Sequence, residues 1–69
     1  MGWASGSQVM DGIISVVKKE INDPEVRTKL YRGIIEVLEG EDWDTQNECE
    51  GIDDEYDKAL MELHPSWYK

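Results

Sequence analysis

Residues 21–40 read Ile21-Asn22-Asp23-Pro24-Glu25-Val26-Arg27-Thr28-Lys29-Leu30-Tyr31-Arg32-Gly33-Ile34-Ile35-Glu36-Val37-Leu38-Glu39-Gly40, and this stretch decides the fold. Asp23 is a helix-capping residue, Pro24 suits the first helical position, and Glu25 lies in the first turn, where negative charge is favoured. Pro24 also disfavours helical backbone at Asp23, so any helix arriving from upstream must stop there. Val26, Leu30, Ile34, Val37 and Leu38 then recur at helical spacing, with Tyr31 and Ile35 widening the stripe. Gly40 is a plausible stop, so the spacing predicts a helix over 24–39.

Upstream, Met10, Ile13, Ile14, Val17 and Ile21 form a second helical stripe, and Lys18 and Lys19 suit the negative end of a helix dipole. Ser5-Gly6-Ser7-Gln8 has the form of a capping box, with Ser5 placed to accept from the N–H of Gln8. The first helix is therefore predicted over 6–22. A connection this short makes the two helices an antiparallel hairpin.

Downstream, Thr45-Gln46-Asn47-Glu48 is another capping-box pattern cut short by Gly51, which predicts a helical turn over 46–50. Asp53 and Asp54 cap a last helix over 54–64, with Tyr56, Ala59, Leu60, Leu63 and Trp67 as its apolar positions, and Pro65 bars continuation past His64. No alternating run signals a strand. The expected fold is all-α: one small three-helix domain, residues 1–69, built on an antiparallel helical hairpin with a short extra helical turn in the second linker. Trp3, Trp43 and Trp67 sit before, between and after the main helices, as lids on a thin core or as anchors for a partner. Gly12 lies nearly opposite the main stripe of the first helix, beside Val9 and Val16.

The chain has 69 residues with one cysteine, so it makes no internal disulfide, and a free thiol suits a cytoplasmic setting. No basic start followed by an apolar run predicts a secretory leader. Gly6 stands where a myristoylation signal at Met1-Gly2 would want Ser or Thr. The formal net charge is −9, which argues against direct nucleic-acid binding and against docking on anionic membranes. The charge is lopsided. Residues 1–35 carry four acids and five bases, whereas residues 36–69 carry twelve acids and two bases. No base falls among the acids from Glu36 to Asp57. Helix-dipole arguments account for Asp53, Asp54 and Glu55, but Glu36 and Glu39 lie at the unfavourable end of their helix. Uncompensated repulsion of this kind points to a use for the field.

That use is expected to be capture of a protein with a basic surface. The candidate partner-binding residues are Glu36, Glu39, Asp42, Asp44, Glu48 and Glu50, with Trp43 as an apolar anchor among them. A calcium loop starting at Asp42 would need Gly and Glu where Asn47 and Asp53 stand, so weak Ca²⁺ or Mg²⁺ binding by clustered acids is only an alternative, and no metal or other cofactor is expected. Another alternative is a self-assembling module, a homodimer joined through Val9, Gly12 and Val16. Catalysis is not expected. Cys49 is surrounded by acids that raise a thiol pKa, His64 reads as a helix-end residue, and no phosphate-binding glycine loop is present.

The opening MGWASGS and the later DWDTQNEC together resemble a group of short uncharacterised bacterial and bacteriophage proteins, actinobacterial ones in particular. These share a Trp-Ala-Ser-Gly start, a helical hairpin and an Asp-Trp-Asp-Thr run. The resemblance covers most of the chain and implies a phage or mobile-element origin. It brings no activity and no functional residue. It favours a modulator or inhibitor that binds a host protein over an enzyme.

Overall fold

The computed structural model describes residues 5–68. Three α-helices, α1 (Gly6–Glu20), α2 (Pro24–Glu39) and α3 (Asp54–Leu63), are joined by short connections, with 3-10 turns at Gln46–Cys49 and Pro65–Tyr68. Among the described residues there is no strand. This is the small all-α, three-helix domain that the sequence predicts, with the extra turn in its second linker.

Local chemistry sets the ends of the elements. Asp23 is extended (φ −79°, ψ 115°) as a residue before proline must be, and its Oδ1 accepts from the N–H of Glu25 at 3.0 Å. α1 ends at Glu20, two residues before the expected Asn22, because Ile21 is already extended. Asp53 caps α3 in the same way, accepting from the N–H of Glu55 at 3.1 Å. His64 precedes Pro65 and leaves the helical region, so α3 stops at Leu63 and the chain turns through the second 3-10 segment. The two capping boxes do not form. Ser5 has near-helical backbone (φ −82°, ψ −5°) and makes no side-chain cap, and the Thr45 hydroxyl is engaged elsewhere.

The connection from α1 to α2 is three residues long, and the start of α1 meets the chain just past the end of α2, so the hairpin is antiparallel. α2 packs chiefly on α3. The core combines Met10 and Ile14 of α1, Tyr31, Ile35 and Leu38 of α2, Tyr56, Ala59 and Leu60 of α3, and Trp43 and Cys49 from the connector. Ile13, Val17, Ile34, Ile52 and Leu63 pack at its edge. Tyr31 and Tyr56 meet edge to face, 5.9 Å between ring centres.

The apolar stripe expected for α2 is corrected in one respect. The buried face runs through Thr28, Tyr31, Ile35 and Leu38, whereas Val26, Leu30 and Val37 are exposed. A buried polar cluster explains the choice. Tyr31 donates its hydroxyl to Asp53 Oδ2 at 2.6 Å, which turns the tyrosine side of α2 towards the start of α3. Arg27 joins them: its Nε lies 3.2 Å from Asp53 Oδ2, another guanidinium nitrogen pairs with Glu55, and a third donates to the Ile21 carbonyl at 2.9 Å. Lys18 adds a bond to the Ile52 carbonyl at 2.9 Å. One charged cluster therefore ties the ends of all three helices together.

Trp67, read as a candidate position on the last helix, is about half exposed and stacks on His64 at 3.9 Å between ring centres. Trp3 and the Met1-Gly2 start lie outside the described residues.

Candidate functional site: the acidic connector between α2 and α3

The chain leaves α2 through a left-handed residue, and that residue is not Gly40. Gly40 keeps helical backbone (φ −63°, ψ −19°), while Asp42 has φ +67°. Asp42 N–H donates to the Glu39 carbonyl at 3.1 Å, and Trp43 N–H donates to the Leu38 carbonyl at 3.2 Å. These are the paired bonds of a Schellman ending, with Asp42 in the place usually given to glycine. The motif calls for an apolar contact across it, and both Trp43 and Leu38 belong to the core cluster.

Trp43 is corrected as a partner anchor: it is only 2% exposed. Its ring lies against Gly6, where an added Cβ would come within 2.8 Å of indole Cγ. Its Nε1–H donates to Ser7 Oγ at 3.1 Å. Ser7 Oγ also lies 2.7 Å from Thr45 Oγ1 and donates to the Thr45 carbonyl at 3.1 Å. With the Thr45 hydroxyl as donor, one serine hydroxyl uses its single proton and both lone pairs. Cys49 Sγ donates to the Ser7 carbonyl at 3.4 Å. Gln46 donates to the Trp43 carbonyl at 3.2 Å, and Tyr56 donates to the Gln46 carbonyl at 2.7 Å. The connector is thus held at its backbone and its inward side chains. Ser5–Ser7 and Asp42–Thr45, both inside the stretches that carry the resemblance, meet at this contact.

The acids divide into two sets. In the first, each carboxylate has a structural partner. Glu39 Oε2 is 2.7 Å from His64 Nε2 and accepts from Gln46 Nε2 at 2.7 Å, so this half-buried residue is committed within the molecule. Glu50 accepts from the Tyr68 hydroxyl at 2.5 Å. Asp57 accepts from the N–H of Gly51 at 3.1 Å, and Asp53 and Glu55 belong to the Arg27 cluster. Burial alone would raise the Asp53 carboxyl; bonds from Tyr31 and the Glu55 N–H, with the Arg27 charge, outweigh it and hold the group below the usual carboxylate range. Burial raises Asp57 instead, helped by the neighbouring Glu50 and Asp54 charges. Of the acids expected to face a partner, Glu39 is half-buried and Glu50 exposed, and each is bonded to side chains of this chain.

In the second set are Glu36, Glu41, Asp42, Asp44, Glu48 and Asp54, all exposed and with no side-chain bond or ion pair among the described residues. Asp54 sits in the first turn of α3, where the dipole favours it. Glu36 is on α2, beside Lys29, Arg32 and Gly33. The remaining four lie together on residues 41–48, Asp42 and Asp44 on either side of the buried Trp43. Glu41 belongs with the candidate residues although the sequence reading passed over it, and its position inside the base-free run was the available signal.

Cys49 and His64 point elsewhere, the thiol to the Ser7 carbonyl and the imidazole to Glu39, and neither bonds to the other. Burial, then the Asp11 and Glu48 charges, push the Cys49 thiol up to about 11, which leaves it protonated at neutral pH. Among the described residues no group of three or more His, Cys, Asp or Glu is arranged to hold a metal ion, and no helix is long and apolar enough to cross a membrane. Comparison with protein-family models, with curated proteins and with solved structures found no match.

Proposed function

We propose that this chain is a small acidic protein-binding module that docks on a basic surface of a protein partner through the connector, with Glu41, Asp42, Asp44 and Glu48 as the contacting carboxylates. One observation carries the reading: these four have no partner within the described molecule, yet the backbone that bears them is pinned by Trp43, Ser7 and Gln46. Carboxylates on a fixed backbone lose little freedom on binding, and their field speeds encounter with a cationic surface. Many cationic protein surfaces exist to hold nucleic acid, so occupying one is a route to inhibition that needs no catalysis. The resemblance to short bacterial and phage proteins supports a phage-encoded modulator of a host protein, acting in the cytoplasm.

Affinity capture from a bacterial lysate tests this at about 0.05 M and about 0.5 M salt. Proteins retained at the lower salt should be basic, should elute at the higher salt, and should be lost from a variant carrying Glu41→Lys, Asp44→Lys and Glu48→Lys. A control with Asp11→Lys, Glu20→Lys and Glu25→Lys changes net charge equally and should retain them. Equal loss from both variants, or from neither, would count against the connector as the docking site.

A further inference from the structure

The back of α2 carries an apolar row that the monomer leaves uncovered. Val26 and Leu30 are partly exposed and Val37 is 67% exposed. With Gly33 they recur at spacings of four, three and four, the seam spacing of paired helices. A Cβ added at Gly33 meets nothing within 4 Å, and Lys29, Arg32, Gly33 and Glu36 surround a shallow depression there. Tyr31, Ile35 and Leu38 on the opposite side already fill the core, so this helix has two apolar faces and the fold uses one.

The charges beside the seam choose the occupant. Lys29 and Glu36 are seven residues apart and therefore hold equivalent places on one flank. Neither has an ion pair among the described residues. When identical helices pair antiparallel, equivalent flank positions meet across the seam, so Lys29 meets Glu36 of the partner subunit and the two-fold axis repeats the pair. The same register sets Leu30 opposite Gly33 of the partner subunit, a large side chain over an open position. Parallel pairing would set Lys29 towards the flank of Arg27 and Ile34, where Arg27 is already committed to Asp53 and Glu55.

We propose that a second copy of this chain docks on this face, α2 against α2 and antiparallel, with Leu30 over Gly33 and Lys29 paired to Glu36. The contact is one pair of four-turn helices between two anionic molecules. Association is accordingly concentration-dependent, with a dissociation constant of about 10 µM to 1 mM. The seam uses Glu36 but none of Glu41, Asp42, Asp44 and Glu48, so the dimer is a proposal separate from the partner reading.

Sedimentation equilibrium of the full chain tests it, with circular dichroism confirming that each variant is helical. Lys29→Glu and Glu36→Lys should each weaken dimerisation about fivefold or more, because each sets like charges together twice in the dimer. The double variant carrying both should recover the wild-type constant. General repulsion predicts otherwise, since Glu36→Lys lowers the net charge and would then strengthen association. A wild type that stays monomeric to about 1 mM overturns the proposal. So does a double variant that fails to recover, or association abolished by Val16→Lys on α1 and untouched by Leu30→Lys.

Discussion

Ser7 is the residue on which the connector turns. Its hydroxyl meets the Trp43 indole N–H, the Thr45 hydroxyl and the Thr45 carbonyl, and its own carbonyl receives the Cys49 thiol. Ser7→Ala would strand the Trp43 indole N–H and the Thr45 carbonyl near the core and should cost about 2 kcal/mol, read by urea denaturation, with a change in tryptophan emission. An unchanged midpoint would show that water replaces the hydroxyl without loss. Next to it, Gly6→Ala drives a methyl into the indole and should destabilise by about 1–3 kcal/mol. Gly12→Ala, where the added methyl meets nothing, should instead stabilise by up to about 1 kcal/mol. Equal effects at the two glycines would contradict this packing. Asp42 works the other way. Its φ of +67° is costly for any side chain, so Asp42→Gly should raise stability by about 0.5–1 kcal/mol in the same assay.

At the scale of the elements, the helices were legible because their ends are written in local chemistry. Asp23-Pro24 and Asp53 act within two residues of themselves, and the structure uses both as caps. Ser5 and Thr45 look like the same signal, but Ser5 has near-helical backbone and makes no side-chain cap, and the Thr45 hydroxyl is taken by Ser7, 38 positions away. The buried face of α2 was not legible for a similar reason. Val26, Leu30 and Val37 are more apolar than Thr28 and Tyr31, so periodicity weights the wrong side of the helix. The bond from Tyr31 to Asp53, 22 positions away, reverses that preference, and no window along the chain contains both partners. The acids followed suit. Their crowding was visible, but the commitment of Glu39 to His64 and of Glu50 to Tyr68 depends on how the end of α3 folds back. Trp43 was read as an anchor because it stands between acids, and only the ending of α2 at Asp42 shows which way its ring turns.

For the whole molecule, the Asp53 cluster makes stability depend on pH. The folded carboxyl lies below its usual value near about 3.9, so its contribution is present above that value and is lost as pH falls through the folded value. Asp53→Asn should cost about 2–3 kcal/mol at neutral pH, because it leaves the partly buried Arg27 with Glu55 as its one charge partner and takes the charged acceptor from Tyr31, and the gap from wild type should close in acid. A gap constant from neutral pH to about pH 2 would show that the charge contributes nothing. Tyr31 is raised by burial and by its bond to Asp53, so its contribution is present below about pH 10 and fades above it. The Ser7–Thr45 contact has a consequence of another kind. It joins positions 38 apart, whereas each helix forms from neighbours along the chain. During refolding the clasp should shut last: helical ellipticity would recover first, and the change in tryptophan emission as Trp43 is buried would trail behind it, reporting the moment the start of α1 finds the connector.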